Sequence, residues 1–287
     1  MIYQLSPLES VSSWSFRVLC TKLGADRTYI EMLRAKALGR HNRSSWDMVD
    51  TYGDENCHLQ LLANKTDEIN SFFKALKDEI KIRPHLKNIQ GYNLNLGCPS
   101  PDVIGSGGGA ALIKRTTKVS QIVTSLCEHT DLPVSIKIRL GLNEREMENK
   151  VYLNLIEALN SIEKKNFNEV IVHLKHAGEN SKDNFHYDLV LEIVEKCRMN
   201  LTLNGGYSDK FLPKEKVYGV MFARAAIKDP LMFSRLKNTS YTRNEAIRLY
   251  SQLQNLHPWK EKYSAYLNKY CSLFNDSNAE NIKVTNG

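Results

Sequence analysis

Residues 91–115 read GYNLNLGCPSPDVIGSGGGAALIKR: a short apolar-alternating run, a break at Gly97-Cys98-Pro99, then a glycine-rich stretch. A helical period follows over 117–129, and the next β-branched run is VSIKIR at 134–139. Strand, loop, helix and strand in that order make one βα unit. Outward from it the pattern repeats. Strands are predicted near IYQLS (2–6), RTYIE (27–31), HLQLL (58–62), EVIVHL (169–174), LTLN (201–204) and YGVMFA (218–223), which with the two above makes eight. Helical periods lie between them at 66–80, where Phe72, Leu76 and Ile80 are four apart, and at 148–164 and 187–197. The predicted fold is α/β, a closed (β/α)8 TIM barrel, although an open doubly wound sheet would show similar alternation. The seventh connection, 207–217, is too short for a full crossover helix and contains Pro213, so that unit is expected to be abbreviated.

Beyond residue 238 the period is purely helical: Ala246, Leu249, Tyr250, Leu253 and Leu256, then, after Pro258, Tyr263, Tyr266, Leu267, Tyr270 and Leu273. This predicts a barrel domain over 1–238 and a small C-terminal helical domain over 239–287 with a frayed end. Its aromatic stripe suits packing against a neighbour, and base stacking is the alternative.

With 287 residues, 42% hydrophobic and 25% charged, the chain is neither disordered nor fibrous. A net charge of +7 favours a polyanionic partner such as nucleic acid, and a solvated basic surface accounts for it equally well. The six cysteines (Cys20, Cys57, Cys98, Cys127, Cys197, Cys271) form no CxxC pair and no zinc-like spacing. Reduced thiols in a cytoplasmic protein, without a metal, are expected. No basic-then-apolar leader and no run near the ~18 apolar residues of a membrane span is present, so a soluble protein is expected.

In a barrel of this kind, functional side chains lie at the C-terminal ends of the strands, with a phosphate site after the seventh and eighth. The seventh strand runs into Asn204, Gly205 and Gly206, and the eighth into Ala223 and Arg224. Missing Cβ atoms and a guanidinium at paired positions suit an anion, although NG alone often marks only a turn. Cys98 stands on a rigid turn at the mouth, whereas the other five cysteines fall in strand or helix patterns that packing explains. Gly105, Gly107, Gly108 and Gly109 then open the way for a backbone to approach a ligand, or make a flexible loop. KIR places Lys137 and Arg139 on the interior side of one strand.

These residues, taken in order, resemble the tRNA-dihydrouridine synthases, FMN-dependent barrels with a C-terminal helical domain. The resemblance runs from residue 3 to about 235. It rests on LSPL with Phe16 and Arg17, Glu31 and Met32, Gln60, NLGCP with GGGAALI, KIRLG at 137–141, His173, NGG, and GVMFARAAIKDPLMF. It implies that the FMN phosphate is held by Asn204, Gly205, Gly206, Ala223 and Arg224, and that the flavin ring lies against Pro7 and Leu8. Gln60, Lys137 and His173 would bond its polar edge, where a cation stabilises negative charge on the reduced ring. NADPH or NADH would be the reductant. The implied reaction reduces uridine to 5,6-dihydrouridine in tRNA: hydride passes from reduced FMN to C6 and Cys98 protonates C5. A thiol is mostly protonated at neutral pH and has a proton to give. Asn95, Arg139 and Lys175 are the implied neighbours of the substrate uracil, which must leave its stack to enter. Phosphate contacts are expected from the segment 33–46, with Arg34, Lys36, Arg40 and Arg43, and from Lys260, Lys262 and Lys269 near Trp259 and Tyr263. A monomer is expected.

The chain departs from the family pattern at several points. Leu8 replaces a Met, and a GVTD stretch reads Ser10, Val11, Ser12 and Ser13. Lys175 replaces an Arg, and Lys cannot make a planar bidentate contact. Ala223 replaces a Gly and keeps the backbone N–H, provided its φ is negative. Two other readings stay open. One is an FMN barrel of the dihydroorotate dehydrogenase kind acting on a free pyrimidine, which needs neither the helical tail nor the basic loop. The other is a non-catalytic RNA-binding barrel.

Overall fold

The computed structural model describes residues 1–53, 56–180, 182–205, 216–256, 267 and 269–274. Eight strands form at the expected places, their bounds within two residues of expectation except that the second runs three residues further, to Arg34. They are β1 (Ile2–Leu5), β2 (Thr28–Arg34), β3 (Cys57–Leu62), β4 (Gly91–Leu96), β5 (Val134–Arg139), β6 (Phe167–His173), β7 (Asn200–Asn204) and β8 (Gly219–Phe222). All pair in parallel in the order β1-β8-β7-β6-β5-β4-β3-β2. The Leu5 N–H donates to the Arg27 carbonyl at 2.9 Å, beside a parallel bridge between Gln4 and Arg27, and this joins the two ends of the sheet. The cylinder is closed.

Alternation along each strand sorts the side chains. Leu94 and Leu96, Ile136 and Ile138, Val170 and Val172, and Leu203 are buried in the main apolar cluster, facing the helical layer. The intervening residues face the lumen. Gln4 of β1 donates to Glu169 of β6 at 2.6 Å although β7 and β8 lie between those strands, so the bond crosses the interior. Tyr29, Ile171 and Met221, from β2, β6 and β8, make a separate small apolar cluster that meets only there. This lumen is largely polar, and several of its groups pair with one another: Tyr29 donates to Gln4 at 2.7 Å, Thr202 to Glu169 at 2.5 Å, and Arg27 pairs with Glu169. Gly91 is required there, because a Cβ on it would lie 2.4 Å from the His58 ring.

The helices form where apolar residues recur at three and four. Labelled in chain order, α1 is Trp14–Lys22, α2 Thr66–Ile82, α3 Thr116–Glu128, α4 Val151–Asn160, α5 Val190–Lys196 and α6 Arg243–Leu256. In α2, Asp67 and Glu68 occupy the first turn, where the helix dipole favours acids, and Ile69, Phe72, Phe73 and Leu76 are buried. Each such side chain contributes roughly 1.5–3 kcal/mol by leaving water. The helix expected over 148–164 is shorter and is preceded by a separate turn, Glu144–Glu148, because Lys150 takes a left-handed φ of 53° that interrupts it. The expected 187–197 helix begins as a 3-10 turn at Tyr187–Leu189.

Helix α6 packs on α1, and its Ala246, Tyr250 and Leu253 join the same apolar cluster as the barrel, as do Leu267, Cys271 and Leu273. The described part of the C-terminal region therefore continues the helical layer. Pro213 with most of the seventh connection, and Pro258, Tyr263 and Tyr266, lie outside the described residues. Among the described residues no helix is long and apolar enough to cross a membrane.

Candidate active site

The C-terminal ends of the strands surround a cavity of about 570 Å³. Of the residues singled out from sequence, Pro7, Leu8, Lys137, Arg139, His173, Lys175, Asn204, Gly205, Ala223 and Arg224 line it. They come from five different strand ends, so only barrel closure brings them together. Ser6, Glu179, Asn180, Phe185, Ala225 and Lys228 complete the wall. Gly206 lies outside the described residues.

The wall is cationic. Lys137, Arg139, Lys175, Arg224 and Lys228 face a single carboxylate, Glu179. The Lys137 ammonium has no hydrogen-bond or ion-pair partner among the described residues, and burial, with Arg139 beside it, pushes its pKa down to about 7. His173 is held neutral, first by burial and then by Lys137, Arg139, Lys175 and Arg224 around it. A neutral imidazole offers one donor and one acceptor. Ala223 has φ −114°, so it presents its N–H much as a glycine would. Gly205 packs its bare α-carbon against Phe185, whose ring a Cβ would meet at 2.9 Å. Such a donor set, with an apolar flank at Pro7 and Leu8, fits a ligand that carries a phosphate and a large ring with a polar edge.

Cys98, Asn95 and Gln60 stand behind this wall and do not line the cavity. Cys98 is half-buried on the loop after β4, and both Lys137 and Arg139 lie within electrostatic reach of its sulfur. Its peptide N–H donates to the Asn95 side-chain oxygen at 2.9 Å, and its carbonyl accepts from Ala110 N–H at 3.2 Å. Gly109 keeps a left-handed φ of 54°, and a Cβ there would meet the Cys98 carbonyl at 2.7 Å. The glycine-rich stretch therefore wraps the Cys98 turn. The other thiols are packing groups: burial pushes Cys127 and Cys271 up to about 12 and Cys197 up to about 11.

Lys175 differs from expectation in its contacts. Its ammonium donates to the carbonyls of Asn180, at 2.8 Å, and Asp183, and lies 4.8 Å above the Phe185 ring. It pins the loop after β6. Sequence reading gave no role to several residues that shape the site. Arg17, fully buried, pairs with Asp50 at 3.1 Å and donates to the Ser12 carbonyl at 2.6 Å, fixing the loop that carries Pro7 and Leu8. Glu31 accepts from Ser10 N–H at 3.0 Å in the same loop. Both entered the sequence reading only as residues that carry the family resemblance, and a charged residue in otherwise apolar surroundings is the available signal for a buried polar role. Among the described residues no group of three or more His, Cys, Asp or Glu is placed to hold a metal ion.

The fold is shared with known barrels. The old yellow enzyme from Trypanosoma cruzi superposes with a TM-score of 0.54 at 12% identity, over 85% of this chain and 91% of that one. A 2-naphthoyl-CoA reductase gives 0.55 at 9% identity, over 82% of this chain and 50% of that one. In sequence, the chain is 28% identical over 244 residues to a protein of Xenopus laevis named tRNA-dihydrouridine(47) synthase [NAD(P)(+)]-like, and 28% identical over 243 residues to its Homo sapiens namesake. These matches cover 81% of this chain and 35% of each relative, so the chain spans about a third of their length. A probable tRNA-dihydrouridine synthase of Aquifex aeolicus is 24% identical over 241 residues, covering 81% of this chain and 72% of that one. The family description Dihydrouridine synthase (Dus) matches residues 4–274, nearly the whole chain, and the protein belongs to that family.

Proposed function

We propose that this chain reduces uridine to 5,6-dihydrouridine in tRNA, with FMN in the cavity at the barrel mouth and Cys98 as the proton donor. The observation that carries this reading is the cationic cavity at the strand ends, two of whose lining cations, Lys137 and Arg139, lie within electrostatic reach of the half-buried Cys98 thiol. The chemistry that FMN supplies when bound is hydride delivery to the uracil C6, after its own reduction by NADPH or NADH.

The chain's residues divide the remaining work. Arg224, with the Asn204, Gly205, Gly206 and Ala223 backbone, takes the phosphate. Pro7 and Leu8 give the ring an apolar floor. Lys137 and the neutral His173 would meet its polar edge with a cation and a hydrogen bond, and Gln60 belongs to the same proposed set. Cys98 gives its Sγ proton to the uracil C5. Asn95, Arg139 and Lys175 border the space where the extruded base would sit.

tRNA is the partner in this reading. Arg34, Lys36 and Arg40 are exposed on the segment after β2, and Lys260, Lys262 and Lys269 belong to the 239–287 region proposed to grip the phosphates. A monomer and a reducing, cytoplasmic setting belong to the same reading, and six cysteines without a disulfide among them suit the latter.

The test is incubation of FMN-loaded protein with NADPH and unmodified tRNA. Dihydrouridine should form, and Cys98→Ala should abolish it while leaving the flavin absorbance in place. Product formation by Cys98→Ala at the wild-type rate would remove the thiol from the mechanism. Replacing Lys260, Lys262 and Lys269 together by Glu in the full chain should weaken tRNA binding without loss of FMN, and unchanged affinity would refute that role.

A further inference from the structure

Inside the barrel, side chains on β3, β4 and β5 form one directed chain of hydrogen bonds that ends at Cys98. The Asn93 amide nitrogen donates to Ser135 Oγ at 2.8 Å. The Gln60 nitrogen donates to Asn93 Oδ1 at 2.7 Å, and the Asn95 nitrogen donates to Gln60 Oε1 at 2.8 Å. Asn95 Oδ1 then accepts from Gly97 N–H at 3.0 Å and Cys98 N–H at 2.9 Å.

The direction of this chain follows from its last link. A peptide N–H can only donate, so Asn95 must turn its oxygen to the Cys98 turn and its NH₂ to Gln60. Gln60 must then answer with oxygen, which sends its own NH₂ to Asn93. Asn93 must accept there, so its NH₂ needs an acceptor on the far side. The Ser135 hydroxyl, free to rotate, is that acceptor. Register makes the chain possible, because Gln60 pairs with Asn93 and Asn93 with Ser135 across adjacent strands. Asn93 is fully buried and Ser135 nearly so, and neither lines the cavity.

We propose that Asn93 is a positioning residue for Cys98: by fixing the orientation of Gln60 and Asn95, it holds the peptide that carries the thiol. Without the Asn93 oxygen, the buried Gln60 NH₂ has no acceptor and Gln60 turns over. Its NH₂ then meets the NH₂ of Asn95, and Asn95 gives up its bonds to Gly97 and Cys98. The proposal rests on the reading of Cys98 as the proton donor. Misplacement of a reacting group by about 1 Å costs on the order of 100-fold in rate. A loosened turn should lie below that limit.

The experiment compares FMN-loaded Asn93→Leu, which keeps the volume without polar atoms, with Ser135→Ala, which removes only the distal acceptor. For Asn93→Leu, kcat on tRNA should fall roughly 10-fold with KM within about twofold, at unchanged flavin content. The rate at which iodoacetamide alkylates Cys98, read by peptide mass, should change severalfold. Ser135→Ala should move both quantities in the same direction by a smaller factor, and it keeps the proposal testable if Asn93→Leu does not fold. Asn93→Leu combined with Asn95→Ala should be no slower than Asn95→Ala alone. Independent, multiplied effects would overturn action through Asn95, and wild-type turnover and alkylation in both single variants would overturn the whole assignment. If the wild-type protein makes no dihydrouridine, the proposed function fails by itself, and the alkylation rates still decide this one.

Discussion

Arg139 and Gly97 are joined at the mouth of the barrel, between the ends of two adjacent strands: the guanidinium Nε donates to the Gly97 carbonyl at 2.8 Å, while Nη1 donates to the His176 carbonyl at 3.0 Å. One side chain on β5 thereby ties the Cys98 turn to the loop after β6, and the latter loop borders the cavity through Glu179 and Asn180. Replacing Arg139 by Met should free both loops while leaving the strand packing intact. The expected result is a fall in kcat of roughly 10-fold or more with a smaller change in flavin affinity. Steady-state kinetics with flavin titration would check it, and a variant of full activity would show that the strut is dispensable.

The low pKa of Lys137 gives flavin binding a pH dependence of known sign. In the free protein the group titrates near 7, well below its ordinary value. A ring carbonyl that accepts a hydrogen bond from the ammonium favours the charged form, so binding takes up a proton once the free lysine is neutral. Affinity for FMN should therefore fall as pH rises above about 7, with a slope of at most about tenfold per unit. Fluorescence titration between pH 7 and 9 measures this. Lys137→Met should bind more weakly at pH 7 and lose the slope, and a slope that survives the substitution would assign the titration elsewhere.

Arg17 and Asp50 are both buried, so removing Arg17 takes from Asp50 a buried countercharge. Arg17→Met should cost about 3–5 kcal/mol in urea unfolding. It should also release flavin, because the Ser12 carbonyl in the Pro7–Leu8 loop loses its donor. A loss below about 1 kcal/mol would show that the loop is held by other contacts.

Ser10 adopts a φ of 58°, the left-handed region that favours glycine. It also stands at the first position of the family's GVTD pattern, so the departure in sequence coincides with backbone strain. The left-handed form costs a residue with a Cβ about 1–2 kcal/mol. Glycine's greater freedom in the unfolded chain offsets part of that gain. Ser10→Gly should stabilise by about 0.5 kcal/mol, visible as a small rise in Tm, and a lower Tm would contradict the assignment.

Much of the architecture was legible along the chain because barrel strands are local events. Runs such as VSIKIR and EVIVHL carry the period of two that places Ile136 and Val170 against the helices and Lys137 and Glu169 in the lumen. The clearest misreading, the start of α4, came from Lys150, a residue type that gives no sign of a left-handed backbone. The ring of residues at the mouth was legible for a related reason. Asn204 and Ala223 sit at or just beyond a strand end, and strand ends can be counted, whereas Lys137 was read from the alternation of KIR and His173 only from the family resemblance.

The amino-acid order by itself determined the eight strands and which of their ends build the mouth, since both depend on short-range pattern and on parallel closure, but it did not mark Ser6, Glu179, Asn180, Phe185, Ala225 or Lys228 as part of the cavity wall. Only the folded molecule decided what each polar group at the mouth does. Arg139 is committed to the carbonyls of Gly97 and His176, Lys175 to those of Asn180 and Asp183, and Asn95 to the peptides of Gly97 and Cys98. A hydrogen bond is chosen by distance and direction among partners that lie far apart in sequence, and no periodicity records those choices.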